Sequence, residues 1–158
     1  MELKGIEKLN QFFTEWLQAH DFDCVAELGT DFNFWGDSNI IHYALVVPNT
    51  HDMEFVKLCQ EYRPEIINCD NFLLSFFHEV GHFVTENDFS EKEWNYYYRH
   101  IVGCGDFLKY YKYPIEWEAT KWACDYIVEN EKEIASFCQT YSKLIKEFLE
   151  INGYDFSE

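Results

Sequence analysis

Residues 71–85, NFLLSFFHEVGHFVT, constrain this chain more than any other stretch. Phe72, Leu73, Leu74, Phe76, Phe77, Val80, Phe83 and Val84 fall on every side of a helix rather than along one stripe. A helix that is apolar all round has no face to offer water, so other elements must wrap it. The spacing predicts a buried helix from Asn71 to Thr85 with Asp70 as its cap. The same run nevertheless carries His78, Glu79 and His82, three polar side chains where a core should be.

The rest of the chain supplies the wrapping. Leu3, Ile6, Leu9, Phe13 and Leu17 recur at helical spacing and predict an amphipathic helix over 2–20. CVAEL, FNFW and NIIHYALVV are short and β-rich, and Gly29-Thr30 and Gly36-Asp37-Ser38-Asn39 separate them. They predict a small antiparallel sheet whose last strand is closed by Pro48. A helix over 52–62, with Phe55, Val56, Leu58, Cys59 and Tyr62 on its apolar stripe, should end before Pro64. The aromatic segment 86–113 predicts one helix ending near Gly103, and Pro114 opens the next, PIEWEATKWACDYIVEN. A last helix over 131–151 should turn Ile134, Cys138, Tyr141, Ile145 and Phe148 inward. With 158 residues, no internal repeat and no linker, this reads as a single α+β domain, 1–158, of several helices packed around the sheet.

Buried imidazoles must find hydrogen-bond partners or a cation. His78 and His82 lie one turn apart, which predicts rings stacked along the helix axis on one face. H-E-x-x-H is the spacing at which one helix gives a zinc ion two nitrogen ligands, with the intervening glutamate beside them. Gly81 fits the same picture. A glycine inside a helix costs roughly 1 kcal/mol relative to alanine, so it calls for a close approach, here of another backbone or a substrate strand.

A catalytic zinc needs a third protein ligand and an open fourth position. Phe83-Val84-Thr85-Glu86 follows His82, with no G-x-x-H, so the third ligand is not a nearby histidine. A glutamate on a later helix is the other solution, and PIEWEATKWACDYI offers both Glu116 and Glu118. Residues two apart point about 200° apart on a helix, so only one of them can face the ion.

HEVGH followed by EWEATKWACDYI resembles the ImmA/IrrE-type zinc metallopeptidases, gluzincin-like enzymes with HE-x-GH and a later E-A-x-x-[FW]-A helix. The likeness spans roughly residues 24–130. It implies a zincin-like fold with Zn2+ held by His78, His82 and Glu118, and Glu79 as the catalytic carboxylate. It also implies hydrolysis of a peptide bond in a specific protein substrate, such as a repressor or another regulatory protein. Glu79 would then take a proton from the attacking water and deliver it to the leaving nitrogen. Tyr96, Tyr97, Tyr98, Arg99 and His100, between the two motifs, read as packing or surface, and His42 as a structural histidine on its strand. His20 and His51 sit at element boundaries and read as solvent-facing.

Charge narrows the partners. The balance of 29 Asp+Glu against 12 Lys+Arg gives a formal net charge of -17, which repels phosphate backbones and anionic lipid. Direct nucleic-acid or membrane binding is therefore not expected, and a basic regulatory or DNA-binding protein would be complementary. MELKGIEKLNQFF lacks the apolar stretch of a secretion signal, and no run is long enough to span a bilayer, so the chain reads as cytoplasmic. Six cysteines without a C-x-x-C pair read as free thiols. Two other readings stand beside the peptidase. One is a non-enzymatic acidic protein that sequesters a basic partner by imitating phosphate charge. The other is a zincin-like scaffold that binds metal without turnover.

Overall fold

A computed structural model describes residues 3–45, 50–66 and 69–153, with backbone alone at 50–52. The fold is α+β and mostly helical. Among the described residues it has seven α-helices and one three-stranded sheet. The chain divides into two compact units, Met1–Val46 with Asn130–Glu158, and Val47–Glu129. No helix of the described residues is long and apolar enough to cross a membrane.

The first unit is built on α1 (Ile6–Ala19), the strands β1 (Val25–Leu28), β2 (Asn33–Trp35) and β3 (Ile40–Tyr43), and the last helix (Glu131–Ile151). Leu9, Phe13 and Leu17, four apart, bury one side of α1, which starts later than its periodicity suggested. The sheet is mixed, not antiparallel. Its order is β1-β3-β2, with β2 antiparallel and β1 parallel to the central β3. Ile41 and Tyr43 of β3 are fully buried, so that strand takes the centre and the hairpin with β2 leaves only its far side for β1. The outer edge of β1 does not go unpaired. Asn10 and Thr14 of α1 accept from the backbone N–H groups of Leu28 (2.8 Å) and Ala26 (2.9 Å). Phe13 sits against Tyr43, Phe137 and Tyr141, with ring centroids 4.6–6.4 Å apart. On the last helix Ile134, Tyr141 and Phe148 are buried as expected, but Phe137 takes the inward place given to Cys138. Val46, Val47, Pro48 and the side chain of His51 lie outside the described residues.

The second unit contains α2 (Thr50–Tyr62), α3 (Asn71–Thr85), α4 (Glu91–Tyr96), a π-helical turn (Tyr97–Ile101), α5 (Phe107–Lys112) and α6 (Pro114–Glu129), and the helix closing the chain is α7. Asp70 caps α3 by accepting from the N–H of Leu73 at 2.7 Å. Ten of its residues are buried, including His78, Glu79, Gly81 and His82, while Phe83 is half-buried and Val84 reaches the surface. α6 packs along α3, and Gly81 is where the two backbones meet. A Cβ added there would fall onto the carbonyl oxygen of Ala119 and lie 3.0 Å from its Cα. The approach anticipated from Gly81 is thus that of another helix backbone. Arg63 ties the end of α2 to α6 through Asp125 at 2.7 Å. All six cysteines are free thiols.

Candidate metal centre

The close crossing of α3 and α6 brings together three atoms that all want a cation. His78 Nε2 lies 3.3 Å and His82 Nε2 lies 2.7 Å from the same oxygen, Oε2 of Glu116. All three ligand atoms fall within 4.8 Å of one another, and all three residues are buried. The rings of His78 and His82 meet edge to face, 4.7 Å apart at 88°, rather than stacked. That rotation follows from both Nε2 atoms turning to one oxygen.

Glu116 is the third member, not Glu118. The carboxylate of Glu118 is about half exposed and pairs with Lys121 at 2.7 Å on the outer side of α6. The glutamate that faces the two histidines is therefore not the one the resemblance implied. The 200° rotation between them puts Glu116 against α3 and Glu118 toward solvent.

The partners around these atoms prepare them for a positive ion. The Thr120 hydroxyl donates to the backbone carbonyl of Glu116 (3.0 Å), so its oxygen, 3.0 Å from His78 Nδ1, accepts the ring N–H. With Nδ1 engaged in this way, Nε2 is the nitrogen turned to the Glu116 carboxylate. Fixing a ring this way is what ligand histidines require of their other nitrogen. Phe55 and Tyr111 hold the His78 ring edge to face at 5.5 and 6.1 Å. Two nitrogens and one carboxylate oxygen are a donor set that suits a divalent transition metal. Tetrahedral zinc with bonds of about 2.0–2.1 Å places its ligand atoms about 3.3–3.4 Å apart. The His78–Glu116 separation already matches that edge. The shorter His82–Glu116 contact is the length of a charge-assisted hydrogen bond.

Electrostatics agree with geometry. Burial opposes the charging of His82, yet the Glu116 carboxylate, with help from Glu79 and Glu86, raises its pKa to about 9. Burial likewise works against ionised Glu116, but His82 and His78 hold it well below the usual carboxylate range. Glu79 is buried on α3 next to His78, and its charge raises both His82 and Tyr97.

Thr120 and Tyr97 carry no signal of these contacts in the sequence. The Tyr97 hydroxyl donates to Oε1 of Glu116 at 2.9 Å. Nothing in the run YYYRH distinguishes it from its neighbours, because the π-turn that selects it is a tertiary outcome. Tyr96 and Tyr98 are at the surface, and exposed His100 lies against Tyr96 with ring centroids 4.7 Å apart and tilted at 46°. In the first unit His42 is structural, held by Asn33 Oδ1 at 2.9 Å. His20 is half-buried against Trp16, with ring centroids 3.9 Å apart, rather than solvent-facing.

No protein-family profile, curated protein or solved structure matches this chain.

Proposed function

We propose that this chain is a zinc-dependent metallopeptidase of zincin-like type that cleaves a peptide bond in a specific protein substrate in the cytoplasm. The observation that carries the reading is the convergence of His78 Nε2, His82 Nε2 and Glu116 Oε2 on one buried point, with Glu79 alongside. His78, His82 and Glu116 would hold Zn2+. Bound there, the ion would supply Lewis acidity, polarising the scissile carbonyl and making water acidic enough to attack near neutral pH. The chain's own work is to aim both imidazoles at one point, to keep Glu116 ionised, and to place Glu79 as general base. Glu79 accepts the proton of the attacking water and returns it to the leaving nitrogen, a role that calls for a carboxylate held close to the reacting atoms.

The substrate fitting the charge of -17 is a basic protein, such as a DNA-binding repressor. That charge also favours the second reading, an acidic protein that sequesters a basic partner without cutting it. Elemental analysis of protein purified without added metal tests the metal first. Zinc near one per chain, lost in His78→Ala and Glu116→Ala, is the expected result, and absence of metal from the wild type would end the peptidase reading. A proteolysis screen then compares wild type with Glu79→Gln on candidate basic regulatory proteins. Cleavage by the wild type alone supports the enzyme, whereas zinc with equal silence from both forms leaves the metal-binding scaffold.

A further inference from the structure

The structure assigns a job to Tyr97: it is a positioning residue that holds Glu116 as a one-oxygen ligand, keeping the carboxylate from turning its second oxygen to the metal. This rests on the metal reading above. A carboxylate at a metal can bind through one oxygen or both, and the choice decides whether a coordination position stays open. In this site the two oxygens of Glu116 have separate duties. Oε2 faces both imidazoles, while Oε1 accepts the Tyr97 hydroxyl at 2.9 Å. The hydroxyl of Tyr110 lies 3.3 Å from that of Tyr97 and also hydrogen-bonds the Glu116 carboxylate, so a second tyrosine backs the first.

Three features separate this from ordinary packing. Of three consecutive tyrosines, Tyr97 is 6 % exposed, against 51 % for Tyr96 and 64 % for Tyr98. The backbone widens to a π-turn at Tyr97, closed by the N–H of Val102 donating to the Tyr97 carbonyl at 3.0 Å. Such turns are rare and concentrate at functional sites. Finally, the hydroxyl reaches past the cluster that buries its ring, formed by Trp94, Tyr98 and Tyr113, to a carboxylate on another helix. Thr120 does for His78 what Tyr97 does for Glu116, so two of the three ligands are held from outside.

Tyr97→Phe keeps the ring and removes only the hydroxyl. Competition with a chromophoric chelator should show zinc affinity 10–100-fold weaker than wild type, the range for outer partners of metal ligands, with Tyr98→Phe unchanged. Cobalt replaces zinc as a reporter, since its visible absorption weakens as coordination rises above four. The cobalt form of Tyr97→Phe should absorb more weakly than that of the wild type, because Glu116 would then bind through both oxygens. Equal affinity and identical spectra would overturn the assignment while leaving the metal reading intact. A wild type that binds no metal would overturn both. A zinc-loaded crystal structure of the wild type decides the point without a substitution. It should show Glu116 bound through Oε2 with Tyr97 on Oε1, and a Glu116 chelating through both oxygens would refute it.

Discussion

At the scale of the residue, one carboxylate oxygen shared by two imidazoles is a place for one positive charge, and a proton competes with a metal ion for it. The pKa of His82 is raised to about 9 from its ordinary 6.5, so near pH 7 the metal-free site holds a proton between His82 and Glu116. Zinc needs the neutral ring, so its binding expels that proton. Between pH 7 and 9 the apparent zinc affinity should therefore rise roughly tenfold per pH unit. Calorimetry in buffers of different ionisation heat should count about one proton released at pH 7. The stability of the metal-free protein should run the other way. A folded-state pKa above the unfolded one gives His82 a contribution complete below about 6.5 and lost as pH rises through about 9. Glu116, held low, contributes above its ordinary 4.5, and that contribution is lost as pH falls through its depressed folded-state value. For this pair the metal-free optimum lies between about 4.5 and 6.5, checked by thermal unfolding across pH. The two glutamates of α6 are equally separable. Glu116→Ala should weaken zinc by more than the roughly 100-fold upper range for an outer partner. Glu118→Ala removes only an exposed pair with Lys121, worth about 0–1 kcal/mol, and should leave zinc affinity unchanged.

At the scale of the element, the site exists because α3 and α6 cross closely enough for side chains 34 and 38 positions apart to share an oxygen. Gly81 sets that distance. Alanine is the better helix former by about 1 kcal/mol. At Gly81 its methyl would nonetheless strike the Ala119 carbonyl, which is backbone and cannot swing aside. Overpacking of this kind typically costs about 1–3 kcal/mol, so Gly81→Ala should destabilise on balance and lower the urea midpoint. By pushing α6 away it should also weaken zinc binding, although it touches no ligand. The periodic helices α1, α3, α6 and α7 are visible in the sequence because their burial pattern is local. The mixed sheet and the π-turn are not, since which strand takes the centre and which tyrosine turns inward depend on partners elsewhere in the chain.

At the scale of the whole molecule, an excess of 17 negative charges opposes compaction through self-repulsion. Raising salt from low to physiological strength shortens the screening length from about 30 Å at 0.01 M to about 8 Å at 0.15 M. The thermal midpoint should rise accordingly, and binding to any basic partner should weaken. A bound metal adds to stability by linkage. Free zinc at about 100 times its dissociation constant should contribute about 2.7 kcal/mol, and a chelator should remove it, both read by thermal unfolding.

The sequence alone determined that a buried helix carries His78, Glu79 and His82, that Asp70 caps it and Pro114 starts the helix facing it, and that one of two glutamates could complete a metal site. These are matters of spacing along one helix, where neighbours in sequence are neighbours in space. Only the tertiary structure decided that the glutamate facing the two histidines is Glu116, that Thr120 holds His78, and that Tyr97 grips the other carboxylate oxygen. Those depend on the rotation of one helix about its own axis against another, which a motif records only as far as its register is right.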